Sequence, residues 1–437
     1  MANTANNSAG GPVVLINARL VDPASNRDEL GGLVVRDGKI ADLGAHLRLN
    51  APADTEVIDC KGHVVCPGLI DMQVFMGEPG YEHRETIRTA GEAAAAGGVT
   101  TIVVMPDTHP VIDQVALVDF VQRRARDNCV VNVHVCAALT KGLEGKEMTE
   151  FGLLKRTGAI AFSNGKSSVA DTKVMRNALL YGSDFNALIV HYTEDHYLSS
   201  GGAMNSGPTS AKLGLPAVHK MAEVIMLERD LRLVEMTGGR YHAATLSCAE
   251  SLAIMRAAKA RKLPVTFGVS MHHLTLNEED IGPYRTFFKL KPPLRSEDDR
   301  AAMVRALAAG DIDVVVSSHD PQDADVKRRP FAEAEAGAIG LETLLAAMLK
   351  LHHDDRIPLG VLLRPLTVNP ATILGLASGR LEKGAPADLT LFDPNQAWVV
   401  DREQMRARSK NTPFDETTLH GRVLRTLVAG KTVYQYG

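Results

Sequence analysis

The stretch VVCPGLIDMQVFMGEPG, residues 64–80, decides how the chain is read. Its core, GLIDMQVF (68–75), is an apolar run of strand length that follows Pro67 and gives way to glycine and proline. Such a run fits a strand buried on both faces, as strands of parallel sheets are. Seven more runs of this kind follow: VTTIVVM (99–105), VVNVHVCA (130–137), GAIAFS (158–163), ALIVHY (187–192), YHAATLS (241–247), PVTFGVS (264–270) and IDVVVSS (312–318). Helical stretches such as TIRTAGEAAAAGG (86–98), VMRNALLYG (174–182), LPAVHKMAEVIMLERDLRLVEMTG (215–238), AESLAIMRAAKARK (249–262) and RAAMVRALAAG (300–310) separate many of them. Eight apolar strands with crossover helices predict a parallel (β/α)8 barrel of the TIM type, with any active site at the C-terminal strand ends. A doubly wound open sheet is the structural alternative.

Outside this series the chain is strand-rich at both ends. VVLINARLVD (13–22), LVVRDGKIADLG (33–44, turning at RDGK) and TEVIDCKGHVVCPG (55–68) precede it; ADLTLFDP (387–394) and RVLRTLVAGKTVYQYG (422–437, turning at Gly430) follow it. Each half is too small to be stable alone, so the two are expected to pair into one β domain. The layout read from sequence is a mobile tail at 1–12, a composite β-sandwich domain from 13–66 and 376–437, and a barrel domain at 67–375.

Length and composition narrow the function classes. The chain has 437 residues, 45% of them apolar, and a formal net charge of −4. That suffices for a large core, and the scattered lysines and arginines form no basic stripe for nucleic acid. Five dispersed cysteines, Cys60, Cys66, Cys129, Cys136 and Cys248, form no CxxC pair and read as reduced buried thiols of a cytoplasmic protein. The polar start, MANTANNSAGG, has no apolar signal core, and no run is long enough for a membrane span. There is no GxGxxG after a strand, no GxxxxGK[ST], no HExxH and no GxSxG. SNGKSS (163–168) is a polar loop whose lysine could meet an anion, a loose pattern.

Eleven short segments, in order, carry a resemblance: PGLID (67–71), GGVTTIVVMPDTHPVID (97–113), HYTED (191–195), LGLP (213–216), AKARKLPVTFGVSMHHL (258–274), KLKPPLRSEDDR (289–300), GDIDVVVSSHDP (310–321), GAIGLETLL (337–345), LTVNPATILGL (366–376), KGAPADLTLFDP (383–394) and KNTPFD (410–415). With them the chain resembles the dihydroorotases of the amidohydrolase superfamily. The resemblance implies a pair of divalent metal ions, typically zinc. They are held by an HxH on the first barrel strand, a bridging carboxylate, one histidine on each of the fifth and sixth strands, and an aspartate on the eighth that handles the proton.

Most of those positions are changed here. Gln73 and Phe75 stand at HxH, Asn164 and Gly165 where relatives have carboxylates, Thr245 at the second histidine of His242-Ala-Ala-Thr245, and Ser318 at the catalytic aspartate. His191 is the one retained ligand position. The positions implied to grip a substrate carboxylate are replaced by Gly77, Asp107, Lys291 and Gln322, and a carboxylate at Asp107 would repel another. Pro67, Gly68, the PPLR run (292–295), Asn369 and Pro370 remain as framework.

Two histidine groups have plainer readings. His272 and His273, adjacent on a strand, point to opposite faces, so at most one enters the barrel mouth. His219, His352 and His353 read as surface residues.

The expectation is therefore a catalytically inactive dihydroorotase homologue with no cofactor. It would be a homo-oligomer serving as a structural subunit for aspartate carbamoyltransferase catalytic chains in pyrimidine biosynthesis. The rival is an active metal-dependent cyclic amidohydrolase of the dihydroorotase, hydantoinase or allantoinase type. Its zinc site would be rebuilt from His191, His242, His319 and Asp320. A third reading is a small-molecule sensor with Lys291, Gln73 and Asp107 lining its site. A mouth filled by Phe75 and its neighbours favours the subunit; a cavity with convergent polar groups favours enzyme or sensor.

Overall fold

The computed structural model describes residues 12–49 and 55–437; the tail read at the N-terminus falls, except for Pro12, outside them. All eight predicted barrel strands are present: Leu69–Val74, Val99–Val104, Asn132–Ala138, Ala159–Ser163, Leu188–His191, Arg240–Ala243, Val265–Ser270 and Val314–Val316. Each pairs in parallel with the next in sequence order, which excludes the doubly wound alternative, whose order reverses at its centre. The ring closes where Val74 bridges His319, with the Phe75 N–H donating to the His319 carbonyl at 3.0 Å.

Side-chain alternation along the strands separates two apolar populations. Met72, Val103, Cys136, Ala161, Leu188, Val190, Val314 and Val316 fill the barrel interior. Residues of the opposite parity, among them Ile102, Val135, Phe162, Ile189 and Phe267, pack with the helices. The helix read over 215–238 begins only at Met221; Ala217–Val218 instead pairs as a short strand with Met204–Asn205.

The chain ends build a second sheet of eight strands. Val64–Pro67 is its junction, parallel to Val13–Asp22 on one side and antiparallel to Leu389–Val399 on the other. This is one branched sheet, with Glu56–Asp59 attached beside Val13–Asp22.

The sheet docks on the bottom of the barrel through a few buried polar contacts. The Gly68 N–H donates to the Asp388 carbonyl at 2.8 Å. The Thr390 hydroxyl donates to the Gly98 carbonyl and the Thr426 hydroxyl to the Ala95 carbonyl, each at 2.6 Å. Both carbonyls lie at the end of helix Ile87–Ala96 or just past it, and each also accepts a backbone N–H at 3.1 Å, Ala95 from Gly98 and Gly98 from Leu69. Gly98 itself needs its positive φ of 79° to turn the chain into the second barrel strand. No helix among the described residues is long and apolar enough to cross a membrane.

Thr390→Val and Thr426→Val, which keep shape and delete the hydroxyl, are each expected to cost about 1 kcal/mol in denaturant unfolding. Unchanged unfolding midpoints in both variants would show that these two hydroxyl contacts do not hold the sheet to the barrel.

Candidate functional site

The rim of the barrel at the C-terminal strand ends holds a cavity. It is lined by Gln73 and Phe75 of the first strand end, Asp107 after the second, Lys166 after the fourth, Tyr192 after the fifth, His272 and His273 after the seventh, Lys291, and Ser318 to Asp320 after the eighth. Three buried polar atoms at this cavity have no hydrogen-bond partner: Asp107 Oδ1, His272 Nε2 and His273 Nδ1. Unpaired buried polar atoms are costly, which makes a cavity that collects three of them a candidate ligand site.

His272 and His273 both line the cavity because they do not lie on a strand. The seventh strand ends at Ser270, whose hydroxyl accepts the His272 N–H and caps the short helix Met271–Thr275. In a helical turn adjacent residues are no longer on opposite faces, so the expectation that at most one enters the mouth is corrected. His273 Nε2 donates to the Pro293 carbonyl at 3.2 Å, since a carbonyl only accepts, and in the neutral ring this leaves Nδ1 as a bare acceptor. Burial holds both imidazoles neutral, lowering His272 to about 3 and His273 to about 4.

Phe75 is buried at the mouth and forms the floor of a charged cluster. The Arg84 guanidinium carbon lies 4.1 Å and the Lys166 ammonium 5.0 Å from its ring centroid, both within cation–π range. The same two cations converge on Asp320 Oδ1, Arg84 at 2.9 Å and Lys166 at 2.6 Å. Lys166 is also 3.7 Å from Asp107 Oδ2. Arg84 escapes sequence reading because it lies in the loop beyond Gly77 and reaches back. Gly77 is a backbone hinge, with φ of 74°, where a Cβ would lie 2.1 Å from the Glu85 carbonyl oxygen.

The remaining positions are engaged elsewhere. Asn164 accepts from the Thr140 hydroxyl at 2.7 Å and donates to the Leu143 carbonyl at 3.0 Å. Gln322 donates to Asp320 at 3.2 Å and to the Ala336 carbonyl at 2.9 Å. Thr245 is buried with its hydroxyl unpaired. Lys291 lies at the entrance, its ammonium 3.5 Å from Glu194 and 5.2 Å from the Tyr192 ring centroid. Of the three histidines read as surface residues, only His219 is exposed; His352 and His353 are half-buried and bond to carbonyls of Ile357 and Pro394.

His191 does not face the cavity. It shares the parity of Ile189 and turns toward helix Met221–Thr237, its Nδ1 2.6 Å from Asp230 Oδ2. Its Nε2 accepts the Val169 N–H at 2.8 Å, so neither nitrogen has a lone pair for a metal. Burial pushes the Asp230 carboxyl up, but His191 and Arg229 more than offset this and hold it below its ordinary range. His242 sits lower in the barrel, its Nδ1 2.8 Å from the Thr266 hydroxyl, and burial lowers it to about 3. His319 accepts the Gly340 N–H at Nδ1 and donates from Nε2 to Glu85 at 3.3 Å.

A site rebuilt from His191, His242, His319 and Asp320 is therefore not assembled. Among the described residues no three His, Cys, Asp or Glu side chains are grouped to hold a metal ion. With phenylalanine at Phe75 and an ammonium at Lys166, the mouth does not fit a two-metal centre.

Known proteins place the chain more closely. Residues 62–251 match the family model described as dihydro-orotase-like, and residues 185–433 match that of the amidohydrolase family. The protein named dihydroorotase from Syntrophus aciditrophicus (strain SB) is 42% identical, across 97% of this chain and 99% of its own length. The protein of the same name from Ehrlichia chaffeensis is 40% identical, across 97% and 95%. The solved L-hydantoinase (dihydropyrimidinase) from Arthrobacter aurescens superposes with a TM-score of 0.88 at 24% identity, across 97% and 96%, a likeness of fold. These relatives overturn the expectation of an inactive structural subunit: near full-length likeness at this identity is to proteins named for an enzyme activity. The replaced ligands misled because joint loss of the metal and carboxylate-gripping positions was read as an erased site, whereas the mouth holds a cavity with converging polar groups.

Because their protonation is set by burial, His242, His272 and His273 are expected to keep neutral-imidazole NMR shifts at pH 5, well below the ordinary histidine pKa near 6.5. The sign follows: between about pH 6.5 and 3 the unfolded chain takes up these protons and the folded one does not, so the three groups draw stability down as the pH falls. Titration of all three near pH 6.5 would show a mouth open to water.

Proposed function

The chain belongs to the dihydroorotase-like amidohydrolases, and we propose that it is a cyclic amidohydrolase whose site at the barrel mouth is rebuilt. The reaction class is addition of water across a ring amide. A C–O bond forms at the carbonyl carbon, the C–N bond breaks, and the proton released by water goes to the departing nitrogen. The observation that carries the reading is the set of three buried, unpartnered polar atoms at the cavity, on Asp107, His272 and His273.

These groups suit both recognition and proton handling. Asp107 Oδ1 is an acceptor without a donor, in position to receive a ring N–H or a proton from water. His273 Nδ1 is a second bare acceptor, fixed in that role by the Pro293 carbonyl on the other nitrogen. Lys166 and Lys291 bring positive charge to the rim, beside the carboxylates of Asp107, Asp320 and Glu194. Among the segments that follow the C-terminal strand ends, buried Arg295 donates to Ser247 at 2.8 Å and Asn205 at 3.0 Å and lies 3.5 Å from Glu223.

Ring opening of dihydroorotate, dihydrouracil, hydantoin and allantoin, followed by loss of ring-amide absorbance with and without added zinc, tests this. At least one should be turned over, and Asp107→Asn should lower kcat by about 10²-fold or more. No turnover of any of the four would overturn the reading.

A further inference from the structure

The mismatch between the mouth and a metal centre has a positive counterpart in the loop that carries Lys166. Residues 164–166 follow the fourth strand. Gly165, at φ of 62°, lets the backbone pass 3.0 Å from the Asp107 Cβ, measured to where its own Cβ would be. That approach delivers the Lys166 ammonium to Asp320 Oδ1 at 2.6 Å, with Asp107 Oδ2 at 3.7 Å and the Phe75 ring centroid at 5.0 Å. An aromatic face and two carboxylates around one ammonium form a cation site. The occupant is part of the chain.

Resting on the amidohydrolase reading above, we propose that Lys166 is the resident cation of this site and binds the carbonyl oxygen of a cyclic ureide without a metal ion. An ammonium has three donors. It is ion-paired with Asp320 at 2.6 Å and lies 3.7 Å from Asp107, and with its side chain 37% exposed it keeps donor capacity for a ligand carbonyl. Asp107 Oδ1 and His273 Nδ1, both buried and unpaired, then accept two ring N–H groups. A cyclic ureide carries a partner for each of these three groups of the cavity lining, two N–H groups flanking a C=O.

The basic cavity between Arg408, Arg402 and Lys327 is largely self-neutralised, since Arg402 pairs with Glu403 and Asp415, and Lys327 spends its donors on the carbonyls of Thr286, Lys289 and Glu335.

The test combines metal analysis with calorimetry on the full chain, expressed with zinc supplied and purified without chelator. The probes are dihydrouracil, hydantoin, allantoin and dihydroorotate. The proposal expects less than about a tenth of an equivalent of metal and ureide binding that changes less than twofold after dipicolinate treatment. It also expects at least tenfold weaker binding in Lys166→Met, with partial recovery in Lys166→Arg. Lys166 is 37% exposed on its side chain, so these variants should fold, as a cooperative melting transition would show even where loss of the Asp320 ion pair lowers its midpoint.

Stoichiometric metal whose removal abolishes binding overturns the proposal, as does Lys166→Met binding as tightly as the parent; either leaves the amidohydrolase reading standing. A parent protein that binds none of the probes sinks that reading, and the role of Lys166 with it.

Discussion

Everything at the mouth depends on how the barrel closes. A parallel ring of eight strands must join its last strand to its first, although the two lie more than two hundred residues apart in sequence. Here the buried Asp71 carboxylate accepts the Ser317 N–H at 3.1 Å, and the Phe75 N–H meets the His319 carbonyl. Burial raises the Asp71 carboxyl to about 6, while the N–H groups of Ser317 and Gln73 counter that rise. Because this seam sets the register of strand one against strand eight, it also puts Phe75 and Asp320 on the same stretch of rim. The charged cluster is a consequence of the seam.

Seen this way, the residues that differ from the dihydroorotase pattern are mutually dependent. Phe75 would leave a metal one side short, yet it is a suitable floor for Arg84 and Lys166. Those cations make the carboxylates of Asp107 and Asp320 tolerable near each other. Restoring any single ligand would remove part of the cluster without completing a metal centre, so the set has to be understood jointly.

The architecture was legible in the sequence because apolar run length and glycine or proline punctuation report burial, and burial is what a barrel strand is. All eight barrel strands and the strands at both chain ends were found on that basis, although the latter form one branched sheet and not the expected sandwich. The site was less legible because it depends on direction. The single letter His191 looks like a ligand, but its parity on the strand sends it to the helices and Asp230. His272 and His273 look like a strand pair, but the Ser270 cap winds them into a helix. Lys166 and Arg84 reach the site from loops, where no periodicity records where a side chain ends, and the glycine at Gly165 was the only local sign of close packing.

The junction strand Val64–Pro67 has one partner near the start of the chain and the other, Leu389–Val399, near its end. During synthesis at about 5–20 residues per second, the ribosome takes on the order of tens of seconds to produce the second partner after the first is made. Through that interval the N-terminal half of the sheet presents an unpaired edge while the barrel is being assembled beside it. Its exposure to aggregation and to holding chaperones is therefore written into the order of translation, and ends only when the last strands emerge.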